Sequence, residues 1–154
     1  TDGGIYENYN ADTGKGADVW NAARLYHWGG LMAYMAIGEL IDVEPAGYLR
    51  IGSLAFPASG VRNVHVGGAV YEVDLAEGVR VKRDGRPFLD CTARAIVRIP
   101  LAADDAPILI SASGPGKLEL HDAGPSPRQA LVNGCTACAP QLVEGSAVYA
   151  WESV

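Results

Sequence analysis

The chain has 154 residues, enough for one domain or for one small domain with an appendage. Hydrophobic residues make up 49% of it, which supplies a core and excludes a stably disordered chain. The formal net charge is −6, with 12 Lys and Arg against 18 Asp and Glu, so the basic footprint of a nucleic-acid binder is missing.

Charged residues are only 19%, and there are 19 Gly and 9 Pro. That balance suits short strands joined by many turns better than a helical bundle. No apolar run approaches the roughly 18 residues of a membrane helix, and no signal-peptide pattern is seen. The expectation is a cytoplasmic protein with no membrane partner and no nucleic-acid partner. The chain opens on Thr1 rather than Met, which reads as a processed chain or a piece of something larger.

Residues 1–19 are rich in Gly, Asp, Asn and Thr and read as a long irregular loop. Residues 20–42 read as a helix. Leu25, Trp28, Leu31, Met32, Met35 and Leu40 recur at near-helical spacings, with Ala22, Ala23, Ala33 and Ala36 between them. Gly29-Gly30 costs about 1 kcal/mol per residue against Ala, which suggests close approach of another backbone or a ligand. Pro45 follows as a stop signal. A lone helix with a wide apolar face must pack on something.

From Tyr48 the period changes to two. Alternation marks 48–54, 64–66, 70–75, 79–82, 95–99, 108–111, 118–120 and 147–151, and Asp84-Gly85 gives a tight hairpin turn. Seven or eight short strands at this spacing predict a mainly β fold, an antiparallel β-sandwich preceded by a loop and one long helix. The domain boundary falls at 45/46. His65, inside an alternating strand, reads as a solvent-facing or cross-strand residue. Tyr149 and Trp151 read as sandwich core or edge.

The three cysteines are Cys91, Cys135 and Cys138. An odd, small number argues against a disulfide framework. Cys135-Thr-Ala-Cys138 is a CxxC, but a zinc site needs two more ligands and no second pair exists. The pair reads as small apolar side chains near the turn Asn133-Gly134. No metal and no cofactor are expected.

The informative stretch is Tyr6-Glu7-Asn8-Tyr9-Asn10-Ala11-Asp12-Thr13-Gly14-Lys15-Gly16. A carboxylate between two tyrosines, with amides and glycines, has the make-up of a carbohydrate site, because aromatic rings stack on sugar faces while amides and carboxylates take hydroxyls. The same residues also suit a turn-rich surface loop in which Asp12-Thr13-Gly14 is only a turn.

This loop, followed by Tyr26-His27-Trp28-Gly29-Gly30-Leu31, resembles the last part of the catalytic domain of glycoside hydrolase family 63. That family includes processing α-glucosidase I and bacterial enzymes acting on glucosylglycerate or mannosylglycerate. Trehalases of family 37 are more distant kin. The resemblance covers residues 3–42, and the chain differs from the family pattern at Tyr26-His27, where Phe and a small residue are usual.

The resemblance implies an inverting enzyme built on an (α/α)6 toroid, which the helix of this chain would complete. It implies Glu7 as general base and an upstream Asp, outside this sequence, as general acid. Inversion needs the two carboxyls roughly 6.5–9.5 Å apart with a water between base and anomeric carbon. Tyr6 and Tyr9 would then line the pocket, Trp28 would pack under the loop or form a wall, and Asn8 and Asn10 would bond sugar hydroxyls or fix the backbone. His27, beside Trp28 at a helix start, reads either as a partner for a sugar hydroxyl or as an ordinary partly buried histidine. The partners implied are an oligosaccharide or small glycoside and a larger helical chain or domain. The competing expectation is a non-catalytic carbohydrate-binding or structural β-sandwich with a docking helix.

Overall fold

The computed structural model describes residues 28–56, 59–102, 105–121, 127–134 and 136–152. The chain divides into two units, Thr1–Gly38 and Glu39–Val154.

In the first unit the described element is helix α1, Trp28–Gly38, which carries no charged residue. It ends four residues before the point the apolar spacing predicts, so the described helix is short. The cause lies in the residues that follow. Ile41 and Val43 are β-branched, alternate with Asp42 and Glu44, and form strand β1, Ile41–Glu44. Leu40 is buried in the second unit rather than serving as a last helical turn. The expected helical residues 20–27 lie outside the described residues.

The second unit continues with β2 Tyr48–Ile51, β3 Gly60–Val66, β4 Ala69–Asp74, β5 Val79–Arg83, β6 Arg86–Cys91 and β7 Ala95–Pro100. Then follow β8 Ile108–Ala112, β9 Gly116–Leu120, β10 Ala130–Val132, β11 Thr136–Cys138, β12 Gln141–Val143 and β13 Ser146–Trp151. Each run of alternating apolar residues becomes a strand. Two-residue turns at Gly67-Gly68, Asp84-Gly85 and Glu144-Gly145 hold both central residues at positive φ, the geometry that matches strand twist.

The strands form a six-stranded sheet, β1-β2-β7-β8-β10-β11, and a seven-stranded sheet, β12-β13-β9-β6-β5-β4-β3. The protein is mainly β. The expectation of antiparallel pairing fails at one place: β10 lies parallel to β8, with Ala130 opposite Ile108. After β8 the chain leaves the first sheet, contributes β9 to the second, and returns to run beside β8 in the same direction. A parallel pair needs such a crossover, and residues 113–129 supply it.

Strand β6 carries Pro87 inside a central strand. A bulge explains how. Val81 faces Leu89 and Lys82 faces Pro87, so Phe88 is the extra residue, and a proline is tolerated beside such an interruption. Phe88 turns its ring to Tyr71, centroids 6.0 Å apart and edge-on.

Each sheet buries one face. Ile51, Val97, Ile108, Ile110 and Val132 come from the first sheet, and Val79, Leu89, Leu118 and Tyr149 from the second. Burying side chains of this size contributes about 1.5–3 kcal/mol apiece. Tyr149 and Trp151 are core residues with satisfied polar ends. The Tyr149 hydroxyl donates to Arg128 O at 2.7 Å, and Trp151 Nε1–H donates to Gly114 O at 2.8 Å.

Burial pushes the Tyr149 phenol up to about 12, against a smaller opposing pull from Arg128. It pushes the Cys91 thiol up to about 11, against a smaller opposing effect of the Ala93 backbone. Both folded values lie above the ordinary 10.0 of a phenol and 9.0 of a thiol. The stability each contributes is therefore complete below the unfolded value and is lost as pH rises through the folded one. We expect urea midpoints to fall steadily between about pH 9 and 12, with each group contributing about 2–3 kcal/mol to the loss. Tyr149→Phe should remove the upper part of that slope. A midpoint that holds constant across this range would contradict the burial account.

Candidate functional site

Of the residues that the sequence singles out, Glu7, Tyr6, Tyr9, Asn8, Asn10 and His27 lie outside the described residues. Trp28 is the first residue of α1. His65 is exposed on β3, opposite Val70. Cys138 is buried on β11 with its Sγ 3.6 Å from Ala150 O, while Cys135 lies outside the described residues. Among the described residues no three His, Cys, Asp or Glu side chains come together as a metal site. No helix among them is long and apolar enough to cross a membrane.

The polar chemistry of the second unit collects on the seven-stranded sheet. Tyr71, Val73, Val79, Val81, Leu89 and Cys91 are buried, so the alternate positions Glu72, Asp74, Arg80, Lys82 and Asp90 project from the other face. Register then sets their neighbours. Glu72 stands opposite Lys82, Asp74 opposite Arg80, and Arg80 opposite Asp90. With Arg62 from β3 they line a depression of about 680 Å³. Gly60, opposite Asp74 in β3, adds no side chain there.

The charges in this depression are only partly matched to each other. Lys82 Nζ lies 3.7 Å from Glu72 Oε2. The Arg80 guanidinium turns to Glu77 at 3.0 Å, although two carboxylates flank it in register. Asp74 Oδ1 accepts the Ala76 N–H at 2.9 Å. Ser59, at one edge, has a buried hydroxyl with no hydrogen-bond partner among the described residues.

Next to the depression, Asp90 faces Glu119 directly across β6 and β9. Two like charges in that position repel. His121 lies beside both carboxylates, with Nε2 2.9 Å from Asp90 Oδ2 and Nδ1 3.8 Å from Glu119 Oε1. Its Nδ1 also lies 3.2 Å from Ser146 Oγ. Ser, His and Asp are the residue types of a nucleophilic triad. Here Ser146 is only 7% exposed at the start of β13, so its hydroxyl is not presented to a substrate. The arrangement is a cross-strand tie joining β6, β9 and β13. The signal for it in the sequence is the alternation Lys117, Glu119, His121, which puts all three on one face.

A second depression of about 390 Å³ flanks the β5–β6 hairpin, lined by Arg83, Arg86, Phe88 and His121 among others. The Arg83 guanidinium lies 5.8 Å from the Phe88 ring centre and 3.9 Å from Asp84. It is partnered on both sides by cation–π and ionic contact.

Compared with family models, with curated proteins and with solved structures, the chain matches none.

Proposed function

We propose that this chain is the C-terminal portion, or the small subunit, of an inverting glycoside hydrolase that cleaves an α-glycosidic bond. The observation that carries the reading is the run Tyr6-Glu7-Asn8-Tyr9-Asn10, then Thr13-Gly14 and Gly16, ahead of the helix that begins at Trp28. Glu7 takes the proton from the attacking water, and Tyr6 and Tyr9 hold the sugar by its apolar faces. Asn8 and His27 bond sugar hydroxyls, and Trp28 forms a wall. A larger helical chain or domain supplies the general acid, and the uncharged helix α1 packs into that toroid. The two sheets form a β-sandwich that follows it.

Support for this division comes from helix composition and from the change of period. An uncharged, glycine-bearing helix suits burial among other helices, and everything after Gly38 belongs to the β unit.

The test is the stereochemistry of the first product. The complete enzyme acting on an α-linked glycoside in an NMR tube should release β-anomer first, with α-anomer appearing only by mutarotation. This chain alone should release no sugar. Release of α-anomer first, or turnover by the isolated chain, would dispose of the assignment.

A further inference from the structure

We infer that the depression across β3, β4, β5 and β6 is a binding site for a neutral oligosaccharide, separate from the chemistry assigned to Glu7. It rests on the described sheet and not on the N-terminal loop.

The lining charges decide the ligand class. Glu72, Asp74 and Asp90 face Arg62, Arg80 and Lys82, three acids against three bases, so the surface has no net charge to attract an anion or a cation. No metal-binding group of side chains exists among the described residues. What the surface offers is closely spaced strong acceptors and strong donors. A sugar hydroxyl is both donor and acceptor, and a chain of hydroxyls can satisfy alternating carboxylates and cations without bringing charge of its own.

Two further features separate this surface from an ordinary ladder of cross-strand ion pairs. Arg80 is in register with Asp74 and Asp90 but pairs with Glu77, so both aspartates keep acceptor capacity toward the depression. Asp74 uses Oδ1 to hold the Ala76 N–H, and Asp90 uses Oδ2 to meet His121, which fixes both carboxylates in place before any ligand arrives.

The volume of about 680 Å³ falls inside the range of about 300–1,000 Å³ typical of small-molecule sites. The lining includes no aromatic ring. Recognition therefore proceeds by hydrogen bonds, with Val61 and Pro87 as the apolar contact, and affinity is weak, with Kd on the order of 1 mM.

The test is an NMR titration of the isotopically labelled full chain with maltotetraose. Saturable shifts should appear at the amides of Gly60, Asp74 and Arg80. Asp74→Asn and Arg80→Gln should each weaken binding at least about tenfold while the melting temperature stays within a few degrees, since removing one charged partner costs about that much. Lys117→Ala, on the same sheet but outside the depression, should leave the affinity unchanged. Three outcomes would overturn the inference: no shifts at the groove amides, shifts confined to residues 1–27, or tighter binding of tetragalacturonate than of maltotetraose. The titration reads binding and not turnover, so it fails independently of the assignment of Glu7.

Discussion

Glu7→Gln in the complete enzyme is expected to lower kcat about 10³-fold with little change in KM, under the proposed assignment. Glutamine has nearly the same size and keeps one carbonyl oxygen for hydrogen bonding, so sugar binding survives. It cannot accept a proton at neutral pH. The attacking water then loses the group that deprotonates it as it adds to the anomeric carbon, and general-base catalysis is worth about 10²–10⁴ in rate. The pH profile should change with it. The acidic limb of kcat, set by protonation of the base, should disappear in the variant, while the alkaline limb set by the general acid should persist. A merely structural role for Glu7 would move the melting temperature or KM and leave the acidic limb in place. Turnover of the variant within a few-fold of wild type, with the full bell-shaped profile intact, would falsify the role.

Gly78→Ala should come close to unfolding the β unit. Gly78 lies in the connection between β4 and β5 with φ +98, a conformation closed to residues with a Cβ. An added Cβ would also sit 2.1 Å from Cys91 O and 3.1 Å from Thr92 C. Both are backbone atoms at the end of β6, so no side chain can swing aside. Relief requires β5 and β6 to separate, next to the fully buried Val79 and Leu89. The strained dihedral alone costs about 1–3 kcal/mol. With the clash we expect a loss of more than about 3 kcal/mol, a large part of the 5–15 kcal/mol of a typical domain. Gly67→Ala is the control. Its φ is +57 and nothing lies within 4 Å of the added carbon, so about 1 kcal/mol should be lost. Equal midpoints for the two variants in urea would refute the steric account.

The strands with clear alternation, such as β4, β5 and β13, are legible in the sequence because one face is buried and the other is not. Three kinds of element are not. β1 hides behind the helix because Leu40 is apolar at a position that also suits a last helical turn. β6 hides because the bulge at Phe88 breaks the two-residue period and Pro87 argues locally against a strand. β10, β11 and β12 have three residues each, too few for any period to show. The parallel placement of β10 beside β8 is a tertiary decision with no local signature.

The same division applies to function. A motif such as Tyr6 to Gly16 is contiguous and can be read along the chain. The polar groove cannot, because it depends on which strands become neighbours. Glu72 and Asp74 show only as the polar half of an alternating run. Their meeting with Arg80, Lys82 and Asp90 follows from two hairpin registers, and the open floor follows from Gly60 falling opposite Asp74. His121 gains its partners in the same way, from strands 31 and 25 residues away in the chain.

The place of β13 in its sheet bears on how this protein is made. It joins β9 on one side and β12 on the other, and it carries Tyr149 and Trp151 into the core. Until residue 151 has emerged from the ribosome, β9 has an open edge and the hydrophobic interior lacks its largest fully buried side chain. Folding of this unit thus waits for β13. Nascent chains paused before Ser146 should depend on chaperones, and a chain truncated within β13 should be cleared by proteases.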